Sequence, residues 1–414
     1  MSDSEGLLVN PVPRQAAQSR RFRVAMIVTG FPHEGNPGVG IFNLRAAQAL
    51  SMLADVVVVY LRTWVPGRKF SESSVDGSLP IVTVALPQSP ISPALNLATY
   101  RCWGWSAVSG ELRGCDLIHS VGMDFAGVVA SAWAKRAGIG HVVQVTGSDL
   151  NAHNGRTTSF VRSSAWVHAV ACNSDALAQE FRRRYPEFRN VHRVWRGVDL
   201  AAFQPAGATR WPQVSCGIKF LYMGGLPASR KLPYKQNTKG GQTLMSAWAS
   251  AEDVLVDAGA HLLLANIAAN ESTVEKWRAR LKFPQNVTVM GQLDPKLVAA
   301  YLRGADVILV PSLQEGLPNV AMEAAACGRP VLASNIGGLP DVVSNGQTGL
   351  LLPPGDAAQW ERALISCAKR TLDLPVLGKN ARRRMQELFD SSNYSVQMVK
   401  LYETALREAS GGRS

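Results

Sequence analysis

The sequence predicts an α/β protein with two doubly wound parallel sheets. Short apolar runs typical of buried parallel strands alternate with helix-forming segments along most of the chain. This pattern begins at Phe22 and begins again at Lys219, after a linker-like stretch over residues 204–217. A chain of 414 residues is also too long for one ordinary hydrophobic core. We therefore expect two Rossmann-like domains that face each other across a cleft.

The predicted domain boundaries follow from the linker and from the limits of the alternating pattern. The first 21 residues are polar and contain proline, and we expect them to form a disordered tail. The expected parts that follow are an N-terminal domain over 22–205, a C-terminal domain over 206–390, and a C-terminal helix over 391–414 that packs back on the N-terminal domain.

Composition narrows the class of protein. Hydrophobic residues make up 46% of the chain and charged residues 18%, which is typical of a soluble globular protein. The six cysteines are scattered and form no C-x-x-C pair, so we expect a reducing compartment, no disulfide framework and no structural zinc. The net charge of +12 is spread evenly over both halves, which favours solvated helix faces over a nucleic-acid-binding patch.

The first strand, predicted over 22–29, leads into a loop rich in glycine and proline that ends at Gly40. A helix is predicted from Ile41 to Leu50. A strand, a glycine loop and a helix N-terminus together can bind phosphate, because the first amides of the helix are unpaired. The glycine spacing matches neither dinucleotide-binding nor P-loop motifs, so this signal is weak by itself.

Three polar residues follow or end later strands of the N-terminal half. They are His119, Asp149 and Asn173. Ligands of open α/β sheets bind beyond the carboxyl ends of the strands, so Asp149 and Asn173 are candidates to line the cleft. A capping or turn role explains the same two residues equally well.

The C-terminal half carries the stronger signals. Lys239-Gly240 opens a helix after a basic loop that contains Arg230 and Lys231. The helix dipole disfavours a lysine at a helix start, so Lys239 indicates an anion there. Further on, a strand, a loop and a helix place Glu315 in the loop and Glu323 in the helix, eight positions apart.

Several short motifs occur in an order that resembles the retaining glycosyltransferases of family 4, the group 1 glycosyltransferases, which have the GT-B fold. The resemblance covers roughly residues 22–402. The motifs are Asn36-Pro37 with Gly40-Ile41-Phe42, Gly197-Val198-Asp199 with Phe203-Gln204-Pro205, Lys239-Gly240, Pro311-Ser312, Glu315 with Glu323, Gly337-Gly338 and Thr348-Gly349.

The resemblance implies an enzyme that transfers a hexosyl group from a nucleotide-diphosphate sugar with retention of configuration. It makes the C-terminal domain the nucleotide-sugar side and the N-terminal domain the acceptor side. Glu315, Lys239 and His119 are then the catalytic candidates, and Asp149 and Asn173 the acceptor-side candidates. The implied donor-binding residues are Glu323, Gly40, Arg230, Lys231, Gly316, Leu317, Pro318, Asn319 and Val320.

Two positions depart from the family pattern. Gly225 stands where the family usually has an arginine that contacts the diphosphate, and Arg230 or Lys231 are candidates to replace it. Val121 stands where the family often has a second histidine, which leaves a structural role open for His119.

The expected partners are a nucleotide-sugar donor and a carbohydrate or lipid-linked acceptor, with no nucleic acid and no cofactor. The family generally needs no metal, and the chain has no D-x-D triplet. We expect a cytoplasmic protein, with peripheral contact to an anionic membrane as a further expectation. The alternatives left open are a nucleotide-sugar epimerase or phosphorylase on the same fold, and a degenerate binding protein.

Overall fold

A computed structural model describes residues 21–33, 38–89, 92–151, 166–213, 217–224, 238–266 and 271–411. Residues 1–20 of the predicted tail over 1–21 therefore lie outside the described residues, as do Arg230 and Lys231 and, in the first loop, Asn36 and Pro37.

The N-terminal half forms an eight-stranded sheet with the order β3-β4-β2-β1-β5-β6-β7-β8. All neighbouring pairs are parallel except β3 and β4, which are antiparallel. The strands are β1 (Arg23–Val28), β2 (Asp55–Thr63), β3 (Ser71–Asp76), β4 (Leu79–Leu86), β5 (Leu117–Val121), β6 (Gly140–Val145), β7 (Ala169–Cys172) and β8 (Val191–Arg193). Apolar side chains bury both faces of the central strands, as a parallel sheet covered on both sides requires.

The helices of this half are α1 (Ile41–Ser51), α2 (Pro93–Thr99), α3 (Trp105–Arg113), α4 (Phe125–Ala137), α5 (Ser148–Asn151) and α6 (Asp175–Arg184), with a π-turn over Tyr100–Gly104 between α2 and α3.

The C-terminal half forms a six-stranded, fully parallel sheet with the order β11-β10-β9-β12-β13-β14. Its strands are β9 (Lys219–Met223), β10 (His261–Ala265), β11 (Val287–Val289), β12 (Val307–Val310), β13 (Val331–Ser334) and β14 (Gly349–Leu352). The helices are α7 (Gly241–Asp257), α8 (Glu271–Arg278), α9 (Val298–Gly304), α10 (Asn319–Ala326), α11 (Leu339–Val342), α12 (Ala357–Ala368), α13 (Leu374–Leu388) and α14 (Ser391–Gly411), with a 3₁₀ turn at Pro284–Asn286.

Helix α14 returns to the N-terminal sheet. Its apolar face enters the hydrophobic core formed under β1, β5 and β6 through Tyr394, Met398, Leu401, Tyr402 and Ala405. In the part of the chain that the structure describes, no helix has both the length and the apolar character needed to cross a membrane.

The predicted fold class is confirmed, and most predicted elements agree with the structure within a few residues at each end. The edge strand β3 was missed because its sequence, SESSVD, is polar and fully exposed, and the sequence pattern shows no buried face. Helix α2 was missed because prolines at positions 87, 90 and 93 surround its start. Helix α3 was missed as well.

Two chain segments cross between the domains side by side. The amide of Val198 donates to the carbonyl of Phe389 at 2.8 Å, and the amide of Ser391 donates to the carbonyl of Val198 at 3.2 Å. A Cβ on Gly197 would lie 2.4 Å from the Cα of Ser391, so the close approach of the two segments needs glycine at 197. We call these two segments, residues 194–199 and 389–391, the hinge.

The chain contains two short basic runs, over residues 182–184 and 382–384, and several of their side chains make contacts within the fold. Arg183 and Arg184 both bind the carboxylate of Glu180. Arg382 donates to the carbonyls of Phe203 and Ala326, and Arg384 to those at 341 and 342.

Candidate active site

Lys239 and Glu315 form an ion pair at the carboxyl ends of β9 and β12, which are neighbours in the C-terminal sheet. Lys239 Nζ lies 2.6 Å from Glu315 Oε1, and the Ser312 hydroxyl donates to the same oxygen at 2.8 Å. The Glu315 side chain is 10% exposed and that of Lys239 is 45% exposed. The carboxylate is therefore held in place, while the Lys239 side chain remains partly exposed.

The backbone around Gly240 explains why the two residues meet. Gly240 caps α7 with φ of 69°, and a Cβ there would lie 1.6 Å from the carbonyl oxygen of Pro311. The amide of Leu313 also donates to the carbonyl of Thr238 at 2.7 Å. Glycine at 240 thus lets the loop before α7 lie directly against the loop after β12, and this contact places Lys239 beside Glu315.

Glycines also bring the Glu315 loop against its neighbours. A Cβ on Gly337 would lie 2.1 Å from the carbonyl oxygen of Glu315, and one on Gly338 would lie 2.2 Å from that of Gly316. On the other side, a Cβ on Gly147 of the N-terminal domain would lie 2.5 Å from the Cα of Gly316. The two domains therefore touch through backbone next to Glu315.

Glu323 has its partner in the other domain. Arg45, on α1, places Nη1 at 2.5 Å from Glu323 Oε1. Burial raises the pKa of Glu323, and the nearby Arg45 guanidinium counteracts this effect only in part. The carboxylate that the resemblance assigns to ribose is thus occupied by an arginine in this structure.

The candidate donor-binding amides lie at two helix starts. Helix α10 begins after Pro318 and α1 begins after Gly40, and neither start has a side-chain cap. Gly40 has φ of 63°, and a Cβ there would lie 2.3 Å from the carbonyl carbon of Gly30. Each helix follows a parallel strand, so both starts lie at the carboxyl ends of the sheets. Leu317, Asn319 and Val320 surround the first turn of α10, and Gly316 precedes them.

Asp149 and Asn173 are both buried in the N-terminal domain. Asp149 Oδ2 accepts from the amide of Thr146 at 2.7 Å and from its hydroxyl at 3.1 Å, so it closes the turn after β6. Burial, followed by the charge of Asp124, raises the pKa of Asp149 to about 6. Asn173 accepts from Gln144 at 2.7 Å. The structure therefore shows a turn contact for Asp149, as in the alternative interpretation, whereas Asn173 bonds to a buried side chain of the neighbouring strand.

The catalytic assignment of His119 needs correction. Its ring is fully buried, with Nε2 at 3.2 Å from Gln144 Oε1 and Nδ1 at 2.9 Å from the Tyr402 hydroxyl. Burial lowers the pKa of the ring to about 3. Both nitrogens are occupied and no part of the ring is exposed, so the catalytic interpretation is wrong and His119 is a core residue beneath α14.

The sequence reasoning missed three contributors to the cleft. Arg45 binds Glu323, and the hydroxyl of Tyr222 donates to the carbonyl of Lys239 at 3.2 Å. Arg196, within the hinge, is buried. Tyr222 could have been found from the sequence because it lies near the end of the predicted strand β9. No feature of a single sequence indicates that Arg45 contacts Glu323. In the described ranges, no group of three or more His, Cys, Asp and Glu residues is arranged to hold a metal ion.

Two protein-family models match the chain, one on each half. The model described as "Glycosyltransferase Family 4" matches residues 37–202, and the one described as "Glycosyl transferases group 1" matches residues 221–370. The chain belongs to the family 4, group 1 glycosyltransferases. The second match contains Lys239, Glu315 and Glu323, and the first contains Gly40 and Arg45.

Curated relatives of this glycosyltransferase agree with the family. The chain is 35% identical over 200 residues to D-inositol 3-phosphate glycosyltransferase of Pseudarthrobacter chlorophenolicus, covering 47% of this chain and 46% of the relative. It is 32% identical over 217 residues to MMP alpha-(1->4)-mannosyltransferase of Mycolicibacterium hassiacum, covering 52% and 49%. The chain thus spans about half the length of these curated relatives.

Solved structures show the same fold across nearly the whole length. Sucrose-phosphate synthase of Thermosynechococcus elongatus has a TM-score of 0.71 at 24% identity, covering 92% of this chain and 98% of that structure. Anabaena HepE in complex with UDP-glucose has a TM-score of 0.65 at 18% identity, covering 92% and 99%. At these identities the likeness establishes the GT-B arrangement of two Rossmann-like domains.

Proposed function

We propose that this glycosyltransferase moves a sugar from a nucleotide-diphosphate sugar to an acceptor with retention of configuration and without a metal ion. The observation that carries the proposal is the Lys239–Glu315 pair, 2.6 Å apart, at the carboxyl ends of adjacent strands. Positive charge is needed where a diphosphate leaves, and a carboxylate is an acceptor for sugar hydroxyls. The two uncapped helix starts, α1 and α10, add amide donors on the same side of the sheets.

Each residue has a role in this proposal. Lys239 neutralises the leaving diphosphate, and the amides near Gly40 and at the start of α10 bind its oxygens. Glu315 holds hydroxyls of the transferred sugar, and Glu323 accepts hydrogen bonds from the ribose once Arg45 has released it. Fixed groups of this kind stabilise charge that develops in the transition state without reorganising during the reaction.

We propose that the acceptor belongs to one of three classes: a polysaccharide, a glycolipid or a small molecule. Several relatives are named D-inositol 3-phosphate glycosyltransferase, so inositol phosphate is a suitable first acceptor in a screen.

We also propose a cytoplasmic location. We propose a peripheral membrane contact on the basis of the net charge of +12. Co-sedimentation with anionic vesicles tests that contact.

A donor screen tests the activity. The protein is incubated with UDP-, GDP- and ADP-sugars, and release of sugar or transfer to inositol phosphate is measured with and without a chelator. We expect one donor to be consumed equally in both conditions, and nuclear magnetic resonance to show a product that keeps the donor's anomeric configuration. Consumption that depends on a divalent metal, or an inverted product, would contradict the corresponding part of the proposal.

Two substitutions tie the activity to the site. Glu315→Gln and Lys239→Met should each lower turnover by roughly a hundredfold to a thousandfold, the loss typical of removing one preorganised stabilising group. Lys296→Met, on the exposed surface of the same domain, serves as the matched control and should keep full turnover. If no nucleoside diphosphate binds at all, the degenerate-protein alternative replaces the transferase proposal.

A further inference from the structure

One carboxylate oxygen of Asp341 joins the C-terminal domain to the start of a helix in the N-terminal domain. Asp341 Oδ2 accepts a hydrogen bond from the amide of Asp175, the first residue of α6, at 2.8 Å. The same oxygen accepts from Trp195 Nε1, in the hinge, at 2.9 Å. The first amides of a helix lack partners within the helix and favour a carboxylate, so Asp341 caps α6 from the other domain.

The backbone that carries Asp341 is fixed within the C-terminal domain. Leu339 and Val342, which precede and follow it, are buried in the core of that domain. The guanidinium of Arg384 donates to the carbonyl of Asp341 at 2.6 Å and to that of Val342 at 3.1 Å. Asp341 therefore cannot follow α6 when the domains move apart, and its two hydrogen bonds across the interface would break.

The groups that Asp341 binds are themselves held in place. Arg193 Nη1 lies 2.9 Å from Asp175 Oδ2 and so compensates a second negative charge near Asp341. The Arg193 guanidinium also covers the Trp195 ring at 3.7 Å, and the centroid of the Phe389 ring lies 4.7 Å from that of Trp195. Two packing contacts therefore hold the indole ring whose N–H meets Asp341.

The segment that leads to Asp341 also touches the loop of Glu315. A Cβ on Gly337 would lie 2.1 Å from the carbonyl oxygen of Glu315, and one on Gly338 would lie 2.8 Å from the Cβ of Ser174, which precedes α6. Residues 337–341 thus lie between the loop of Glu315 and the other domain. A contact that holds α6 against this segment therefore also fixes how the N-terminal domain faces Glu315.

We propose that Asp341 is a positioning residue that holds the two domains in the arrangement in which sugar transfer takes place. Its importance for transfer rests on the proposed function, whereas its role in holding the domains together does not. Water can bind the Asp175 amide and the Trp195 indole when the domains separate, whereas Asp341 is their acceptor when the domains are joined. Removing this acceptor leaves two N–H groups unpaired at the interface, and this shifts the population towards separated domains.

Small-angle X-ray scattering of the full chain without donor, together with donor consumption at saturating donor, tests the proposal. In Asp341→Leu we expect a larger radius of gyration and a turnover lowered roughly tenfold to a hundredfold, because a misplacement of about 1 Å can cost that much. Asp341→Asn should restore both values, because one amide oxygen can accept both bonds that Oδ2 accepts. Asp373→Leu is the matched control: it removes the side-chain cap of α13 within one domain and should change neither value.

Trp195→Phe is a second variant, which keeps an aromatic ring and removes the indole N–H. It should change both values in the same direction as Asp341→Leu but less, and it decides the matter if Asp341→Leu does not fold. Wild-type scattering in both variants, or an equal loss of turnover in Asp373→Leu, would overturn the proposal. A larger radius of gyration with unchanged turnover would overturn it as well. If the radius increases but the wild type consumes no donor, the proposed function fails while the contact at Asp341 still holds the domains.

Discussion

Glu315 and Glu323 lie eight positions apart in one loop and helix, yet the protein holds them in different ways. Glu315 is bound by Ser312 and Lys239, both of its own domain, and its loop is packed between glycines. Glu323 is bound by Arg45, which is 278 positions away on the other domain. The position of the Glu315 carboxylate is fixed whenever the C-terminal domain is folded. The position of the Glu323 carboxylate depends on the arrangement of the two domains.

Under the proposed function, this difference separates two tasks. Glu315, proposed to hold the sugar, should be preorganised, because reorganisation during the reaction costs rate. Glu323, proposed to bind the ribose, would instead report whether a donor is present, because donor binding would have to displace its ion pair with Arg45. We therefore expect substitutions around Glu315 to act mainly on turnover and substitutions around Glu323 to act mainly on binding.

The largest effect is expected from Gly240→Ala. The added Cβ would lie 1.6 Å from the Pro311 carbonyl oxygen at a φ of 69°, so the loop that carries Lys239 has to move away from Glu315. A misplacement of about 1 Å can lower turnover roughly a hundredfold. Donor consumption measured at saturating donor should therefore fall by at least that factor.

Gly346→Ala is the matched control for the backbone conformation. Gly346 also has a positive φ, 73°, but no atom lies within 4 Å of a Cβ placed there. This variant should lose only the stability that the left-handed conformation costs, about 1–2 kcal/mol, and keep its turnover. Equal turnover in both variants would show that the contact between Gly240 and Pro311 does not position the site.

A smaller effect is expected from Arg45→Met. The substitution leaves Glu323 without its ion pair, so a bound ribose no longer has to displace a guanidinium. A partly exposed pair of this kind contributes on the order of 1 kcal/mol, which corresponds to about fivefold tighter binding of the nucleoside diphosphate. Calorimetry in phosphate-free buffer measures this change, and turnover should stay close to that of the wild type. Weaker binding would mean that Arg45 itself contacts the donor.

The sequence predicted the site residues whose contacts lie within one domain. Lys239 and Glu315 follow strands that turn out to be neighbours in the sheet, and the glycines between them marked tight turns. Contacts that join distant parts of the chain had no such signal. Arg45 looks like any solvated residue of an amphipathic helix, because only the docking of the second domain gives it a partner.

His119 also shows that contacts between distant parts of the chain cannot be predicted from one sequence. Here such a contact covers a residue that the sequence had made a catalytic candidate. A histidine at a strand end beside a cleft is a reasonable catalytic candidate, since ligands bind at that edge of the sheet. Whether the strand end is open or covered depends on α14, which brings Tyr402 from 283 positions away to the ring. Helix patterning alone predicted that the chain ends in helices, but patterning does not show which side chains those helices cover.

The smallest effect concerns pH and sharpens the contrast between the two carboxylates. Burial raises the pKa of Glu323 above its ordinary value of 4.5, so the native protein binds this proton more tightly than the unfolded chain does. The stability of the wild type relative to Glu323→Gln should therefore decrease as the pH rises from about 4.5, until the pKa in the native state is passed. Arg45→Met removes the cation that opposes this shift, so in that background the decrease should be larger and extend to higher pH. Melting temperatures of the four variants that combine these two substitutions, measured between about pH 4 and pH 8, test both statements. A relative stability that increases with pH would show that Arg45 outweighs burial, and Glu323 would then be held as firmly as Glu315.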